Sequence, residues 1–239
     1  MSDKILIVGH AYDMSYGLPV KDLGDITNNI TDFKEHPLDY SLVLFTGGED
    51  ISPALYGHTS PNRLCHNNVR RDAFEKSVFE IAERSGIRMT GICRGAQFLN
   101  VMAGGTMVHH LDGHTGSWHD ITTLTGEELR VNSLHHQMML PPPNAHVVGW
   151  STVRRATNYF GDKDLPISPP EKEVECVIFP NIQAAVVQYH PEMMLSTSQG
   201  FRWYNGFVKS MISATSFSDF MKEYGVNKCK KETQNTHAQ

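Results

Sequence analysis

The stretch Ile87 to Gly105, IRMTGICRGAQFLNVMAGG, carries the reading of the chain. Ile87 to Ile92 is a short strand-like run. Gly95 to Ala103 reads as a helix closed by Gly104-Gly105. Between them, Gly91-Ile92-Cys93-Arg94-Gly95 has the spacing of a G-x-S-x-G nucleophile elbow with sulfur in place of oxygen. The glycines have a steric purpose, because a tight strand-to-helix turn brings backbone segments so close that a Cβ would clash. Such a turn holds its central side chain at a helix N-terminus, where backbone N–H groups favour a thiolate and can bind an oxyanion. A free cysteine is also a common core residue, so the pentapeptide alone leaves both roles open.

Working outward, Lys4 to Val8 and Ser41 to Phe45 are further buried-strand runs, the second stopping at Thr46-Gly47-Gly48. Arg71 to Ser85 has helical periodicity, with Asp72 as the expected cap and Gly86 as the stop. Ile26 to Phe33 reads as a short helix and Ser198 to Ile212 as an amphipathic one. Met107 to Pro143 is histidine-rich and reads as irregular. Ala145 to Thr152, Val174 to Phe179 and Ile182 to Gln188 read as strands, and Asn181 at a turn makes the last two a hairpin. Gly161 to Glu173, with three prolines, reads as a surface loop. Alternating strands and helices predict an α/β layered fold around a mostly parallel sheet, with the hairpin as an antiparallel addition. Residues 1–225 form one expected domain, followed by a polar tail over 226–239.

Composition narrows the function. The net charge of −5 provides no electrostatic reason to expect nucleic acid or an anionic membrane. No run approaches the roughly 18 apolar residues of a membrane span. Four cysteines without a CxxC pair suggest neither a disulfide framework nor a zinc ribbon, so a cytoplasmic location is expected. Thirteen histidines invite a metal, but His109, His114 and His119 recur every fifth residue, which stacks on no single face of a helix or strand. With no HExxH either, no metal is expected, and the histidines read as loop residues lining a polar cleft. Cys65-His66 reads as a surface pair, and no glycine pattern matches a nucleotide-binding loop.

A second chemical signal is Gln188-Tyr189-His190-Pro191-Glu192 after an apolar strand. In an extended segment, residues two apart share a side, so Glu192 could orient the imidazole while His190 takes the thiol proton. Alone, a His-x-Glu pair is weak. Combined with TGGEDISPALYG (46–57), RRDAFE (70–75), GICRGAQFLNVMAGGT (91–106) and VNSLHHQ (131–137), it resembles the class I glutamine amidotransferase superfamily. The nearest branch is the γ-glutamyl hydrolase-like enzymes, including γ-glutamyl-γ-aminobutyrate hydrolases. These segments stand in the family's order over about three-fifths of the chain.

The resemblance implies a flavodoxin-like three-layer sandwich and a γ-glutamyl amidase without a cofactor. It implies Cys93 as nucleophile, His190 as base and Glu192 as its orienter. It places an oxyanion hole at the N–H groups of Gly48 and Arg94, and the glutamyl group near Gly47, Gln97, Ser133, His135 and His136. The expected partner is a small γ-glutamyl substrate or glutamine. Two alternatives stay open: a glutaminase component that feeds ammonia to a separate synthetase, and a catalytically silent binding protein. Arg94 directly after the nucleophile resembles the free-standing hydrolases. Three features depart from the family: Thr46 in place of its usual proline, a long Tyr159 to Glu173 loop, and a short span before Thr46 with only a weak strand candidate at Gly17 to Val20.

Overall fold

The computed structural model describes residues 4–9 and 14–226. Its strands are β1 (Lys4–Val8), β2 (Asp25–Thr27), β3 (Tyr40–Phe45), β4 (Arg88–Ile92), β5 (Thr106–Val108), β6 (His110–Leu111) and β7 (Thr115–Thr123). They continue with β8 (Glu128–Leu134), β9 (Met138–Leu140), β10 (His146–Ser151), β11 (Tyr159–Phe160), β12 (Val174–Phe179) and β13 (Ala184–Val187). The α-helices are α1 (Ile30–Glu35), α2 (Val69–Arg84), α3 (Arg94–Met102), α4 (Gln199–Ser213) and α5 (Phe217–Glu223).

A nine-stranded sheet runs in the order β2-β1-β3-β4-β13-β12-β10-β7-β8. The strands from β2 to β13 are parallel. The expected β12–β13 hairpin is present and opens an antiparallel wing that continues through β10, β7 and β8. Strand alternation divides the apolar residues between two cores. Leu6 and Val8 pack with Phe33, Val78, Phe79 and Phe98 of α1 to α3. Ile5 and Ile7 pack with Trp203, Tyr204, Phe207 and Phe220 of α4 and α5. Helices therefore cover both faces, as a parallel sheet requires.

Four local expectations change. The run Ile26 to Phe33 splits into β2 and α1, because the Asn29 side chain accepts the Asp32 N–H and starts the helix there. The weak strand at Gly17 to Val20 is instead part of a 3₁₀ turn, Met14–Val20, so the short edge strand is β2. Helix α2 begins earlier than expected, with Asn68 as its cap, and Asp72 is buried. The stretch Met107 to Pro143 is ordered into β5 to β9. Inward positions there, such as His119 and Ser133, are polar yet buried, which hides the period-two pattern from a hydrophobicity reading. The expected tail lies, apart from Val226, outside the described residues. Among the described residues no helix is long and apolar enough to cross a membrane.

Candidate active site

Two neighbouring parallel strands deliver the site. Val187 of β13 stands opposite Ile92 of β4, and the Cys93 N–H donates to the Val187 carbonyl at 2.9 Å. Cys93 caps α3 with φ 53° and ψ −110°, a conformation costly for any residue with a Cβ. Both flanking glycines are sterically required. A Cβ on Gly91 would lie 2.4 Å from the Gly95 carbonyl carbon, and one on Gly95 would lie 2.0 Å from the Phe45 oxygen.

Just beyond β13, His190 Nδ1 stands 2.6 Å from Glu192 Oε1, and its side chain is near enough to Cys93 for the two to interact electrostatically. Burial opposes charge on this imidazole. Its interactions with Cys93 and Glu192, and their negative charge, outweigh burial and lift its pKa to about 10. Glu192 reaches the ring through a 3₁₀ turn, Pro191–Met193, and not through the extended segment expected, because Pro191 favours a turn's first position. Asn132 of β8 clamps the His190 backbone: its Oδ1 accepts the His190 N–H and its Nδ2 donates to the His190 carbonyl, both at 2.9 Å. The Tyr16 ring lies 6.4 Å from the imidazole, centroid to centroid.

The opposite wall is the loop after β3. A Cβ on Gly47 would stand 2.5 Å from Tyr16 Oη and 3.1 Å from His190 Cε1, so this backbone abuts the His190 ring. Gly48 has φ +135°, and a Cβ there would stand 2.1 Å from Arg71 Nη1. Arg71 organises the loop by donating to the carbonyls of Thr46 at 3.2 Å and Gly47 at 2.8 Å, and to Glu49 Oε2 at 2.8 Å. The Arg94 side chain turns away from the cleft into the same buried network. It donates to the Glu49 carbonyl at 3.1 Å and pairs with Asp72 and Glu75, and Glu75 also accepts from Arg71 Nε at 2.8 Å. Gly48 and the start of α3 are thus locked to each other by one set of ion pairs. The first N–H groups of α3 point out of its end and are not needed for its helical ladder.

The remaining expected residues are distributed unevenly. Gln97 is buried, its amide donating to Gln188 Oε1 at 3.3 Å. His136 is partly exposed and meets Asp50 Oδ1 at 3.1 Å. Ser133 and His135 face inward: the Ser133 hydroxyl donates to the His114 carbonyl at 2.6 Å, and His135 lies beside Glu175. His109, His114, His119 and His135 are all buried, which corrects the reading of the histidines as loop residues lining a cleft. Arg71, Glu75, Asn132 and Tyr16 had no role from sequence, and Asp72 was expected only as a helix cap. The available signal was Arg71 and Glu75 spaced i, i+4 on a helix that must turn one face to the core.

The fold has solved counterparts. A structure from Thermoplasma acidophilum, provisionally described as a GMP synthase component, superposes with a TM-score of 0.58 at 16% identity, covering 94% of this chain and 96% of its own. A glutamine amidotransferase from Thermotoga maritima superposes with a TM-score of 0.56 at 16% identity, covering 95% and 87%. These neighbours define the class I glutamine amidotransferase fold. The peptidase C26 family model matches residues 25–152, more than half of the sequence, and the chain belongs to this family. A Mycobacterium tuberculosis protein provisionally named a glutamine amidotransferase is 30% identical over 179 residues, 67% of this chain and 53% of its own length. A provisionally named glutamine amidotransferase-like protein of Lactococcus lactis subsp. cremoris is 34% identical over 135 residues, 48% of this chain and 70% of its own. The chain thus spans about half the length of the first of these relatives. Membership is consistent with cysteine-dependent amide hydrolysis.

Proposed function

We propose that the chain hydrolyses γ-glutamyl amide bonds through a γ-glutamyl thioester on Cys93. The observation that carries this reading is the Cys93 sulfur on a strained elbow beside His190, whose Nδ1 is held 2.6 Å from Glu192. With Nδ1–H directed at Glu192, Nε2 takes the thiol proton. The thiolate attacks the amide carbonyl, and the N–H groups of Gly48 and Arg94 hold the oxyanion. His190 returns the proton to the departing amine as the C–N bond breaks. Water, deprotonated by His190, then cleaves the thioester to release glutamate. Gly47, Gln97 and His136 border the glutamyl group, and Ser133 and His135 support that wall from the inner side. Residues 1–225 act as one catalytic domain in a reducing, cytoplasmic setting, which suits the free thiols of Cys65, Cys93 and Cys176.

We assign the leaving amine to the side of the Thr46 to Gly57 segment walled by the long loop. A cavity of about 690 Å³ begins at Ser52, four residues beyond Gly48, and is lined by His58, Thr59, Ser60, Arg63 and Cys65 among others. The long loop walls it: Asp162 accepts the Thr59 N–H at 2.9 Å, and Asp164 accepts from Ser60 Oγ at 2.8 Å. Amine release from glutamine, γ-glutamyl-aminobutyrate, γ-glutamyl-polyamines and polyglutamyl compounds, by the purified chain alone, tests the proposal. At least one γ-glutamyl amine should turn over without ATP or a partner. Turnover of glutamine only, and only with a synthetase and its ATP-activated acceptor present, establishes the ammonia-donor alternative, which the solved structure described as a GMP synthase component keeps in view.

The raised His190 pKa sets the expected pH profile. His190 keeps its second proton below about 10 and loses it above that. Glu192→Gln removes one of the two groups that raise this pKa, so the alkaline limb of kcat/KM should move to lower pH with measurable activity retained. An unmoved limb in the variant would remove Glu192 from the role of orienter.

A further inference from the structure

We propose that His114, His119, His135 and Glu175 form a buried site for a divalent transition-metal ion of the zinc class. Three imidazole nitrogens from different parts of the antiparallel wing converge on one carboxylate oxygen. Glu175 Oε1, on β12, lies 2.9 Å from His119 Nε2, 3.6 Å from His114 Nδ1 and 3.6 Å from His135 Nε2. All four side chains are at least nine-tenths buried. A tetrahedral zinc site with bonds of about 2.0–2.1 Å spaces its donor atoms about 3.3 Å apart, inside the 2.9–3.6 Å range of the three distances from Glu175 Oε1. The ligating atoms of His114, His119 and Glu175 lie within 4.8 Å of one another, and His135 joins this group through Glu175.

Hydrogen bonding at the outer nitrogens of His135 and His114 argues for a cation, while the outer Nδ1 of His119 is buried without a partner among the described residues. His135 Nδ1 is 2.9 Å from the Gln137 carbonyl, an acceptor, so this nitrogen carries a proton. The neutral ring then points the Nε2 lone pair at a carboxylate oxygen, and that nitrogen has no hydrogen-bond partner among the described residues. His114 repeats the pattern. Its Nε2 lies 3.1 Å from Glu173 Oε2, an acceptor, so in the tautomer protonated at Nε2 the Nδ1 lone pair faces Glu175 Oε1, 3.6 Å away. The Ser133 hydroxyl, 3.3 Å from that Nδ1, directs its proton to the His114 carbonyl and cannot satisfy it. Glu175 Oε2 is also buried without a partner among the described residues. Lone pairs facing a carboxylate repel unless a positive charge lies between them. Orientation of metal-ligating imidazoles by a carboxylate or a backbone carbonyl is the usual outer-shell arrangement.

The second titratable cluster, Cys65, His109 and Asp164, does not share this feature. Both His109 nitrogens have partners, Asp164 at 2.9 Å and His58 at 3.2 Å. The ion would pin β7, β12 and the segment just after β8 together, three residues from the Asn132 clamp on His190.

The ligands are fully enclosed, so the ion enters as the chain folds, and refolding tests the site. The full chain is refolded from denaturant with excess Zn²⁺ or Co²⁺, desalted and analysed for metal. One ion per chain is expected, with a raised melting temperature. The Co²⁺ form should show the visible absorption of a tetrahedral nitrogen–oxygen site without a thiolate charge-transfer band. Glu175→Gln and His119→Gln should lose the ion, and Cys65→Ser should keep it. Uptake well below one ion per chain, a thiolate band, or uptake unchanged in both ligand variants would overturn the proposal, leaving a proton-bridged histidine–glutamate cluster. If the ligand variants do not fold, an anomalous-scattering peak in Co²⁺-refolded crystals of the wild-type chain decides alone. Its position among these four side chains supports the site, and its absence there refutes it. These readouts are independent of hydrolase activity.

Discussion

Cys93→Ala is expected to abolish release of amine from γ-glutamyl amides, with a fall on the order of 10⁴–10⁶-fold, as for other covalent hydrolases stripped of their nucleophile. The fold should persist, because the thiol contributes little packing beyond its Cβ and the flanking glycines still permit the turn. Cys93→Gly should be equally inactive yet more stable. The φ of 53° and ψ of −110° at this position carry strain of about 1–3 kcal/mol for a residue with a Cβ. Glycine relieves that strain and loses about 0.5–1 kcal/mol to its freer unfolded chain. A net gain of about 1 kcal/mol over Cys93→Ala corresponds to a melting temperature higher by roughly 2–4 °C in a protein of this size. A glutamine-analogue electrophile should label Cys93 ahead of Cys65 and Cys176. Burial pushes the Cys65 thiol up to about 11 and raises Cys176 well above the ordinary thiol value, so neither is a ready nucleophile. Full activity in Cys93→Ala, with labelling elsewhere, would end the assignment.

Glu75→Ala should be the most destabilising single change near the site. Glu75 is completely buried and accepts from both Arg71 and Arg94. Removing it leaves two guanidinium groups in the interior with half their compensation gone. Breaking a buried ion pair from one side costs about 3–5 kcal/mol. Denaturant midpoints for wild type, Glu75→Gln and Glu75→Ala measure this directly. The glutamine variant should fall between the other two, since it keeps a hydrogen-bond acceptor but no charge. Activity should decline in step, because Arg71 holds the Thr46 and Gly47 carbonyls and Arg94 starts the helix behind Cys93. A loss below about 1 kcal/mol would place the network with surface ion pairs, which contribute little.

The parts of this protein legible in its sequence are those set by local rules. Largely apolar runs of four to six residues specify β1, β3 and β13, because a strand covered on both faces has no polar side, and β4 and β12 keep that character around Thr90 and Glu175. The Cys93 elbow is legible because only glycine tolerates the contacts at positions 91 and 95, and that constraint acts within five residues. Other features depend on segments distant in the chain, and only the tertiary structure decides them. The role of Arg71 emerges once α2 packs behind the Thr46 loop, and that of Asn132 once β8 comes up against the segment after β13. Strands β7 and β8 escape a hydrophobicity reading because their inward histidines and serine are satisfied by partners far away in sequence. His114 and His119, five residues apart, share no face of any regular element. They meet at Glu175 because the chain enters β7 between them and the sheet then brings β12 alongside. Spacing along a chain predicts which side chains can converge only where a single element carries them; across a sheet, strand order and register determine it.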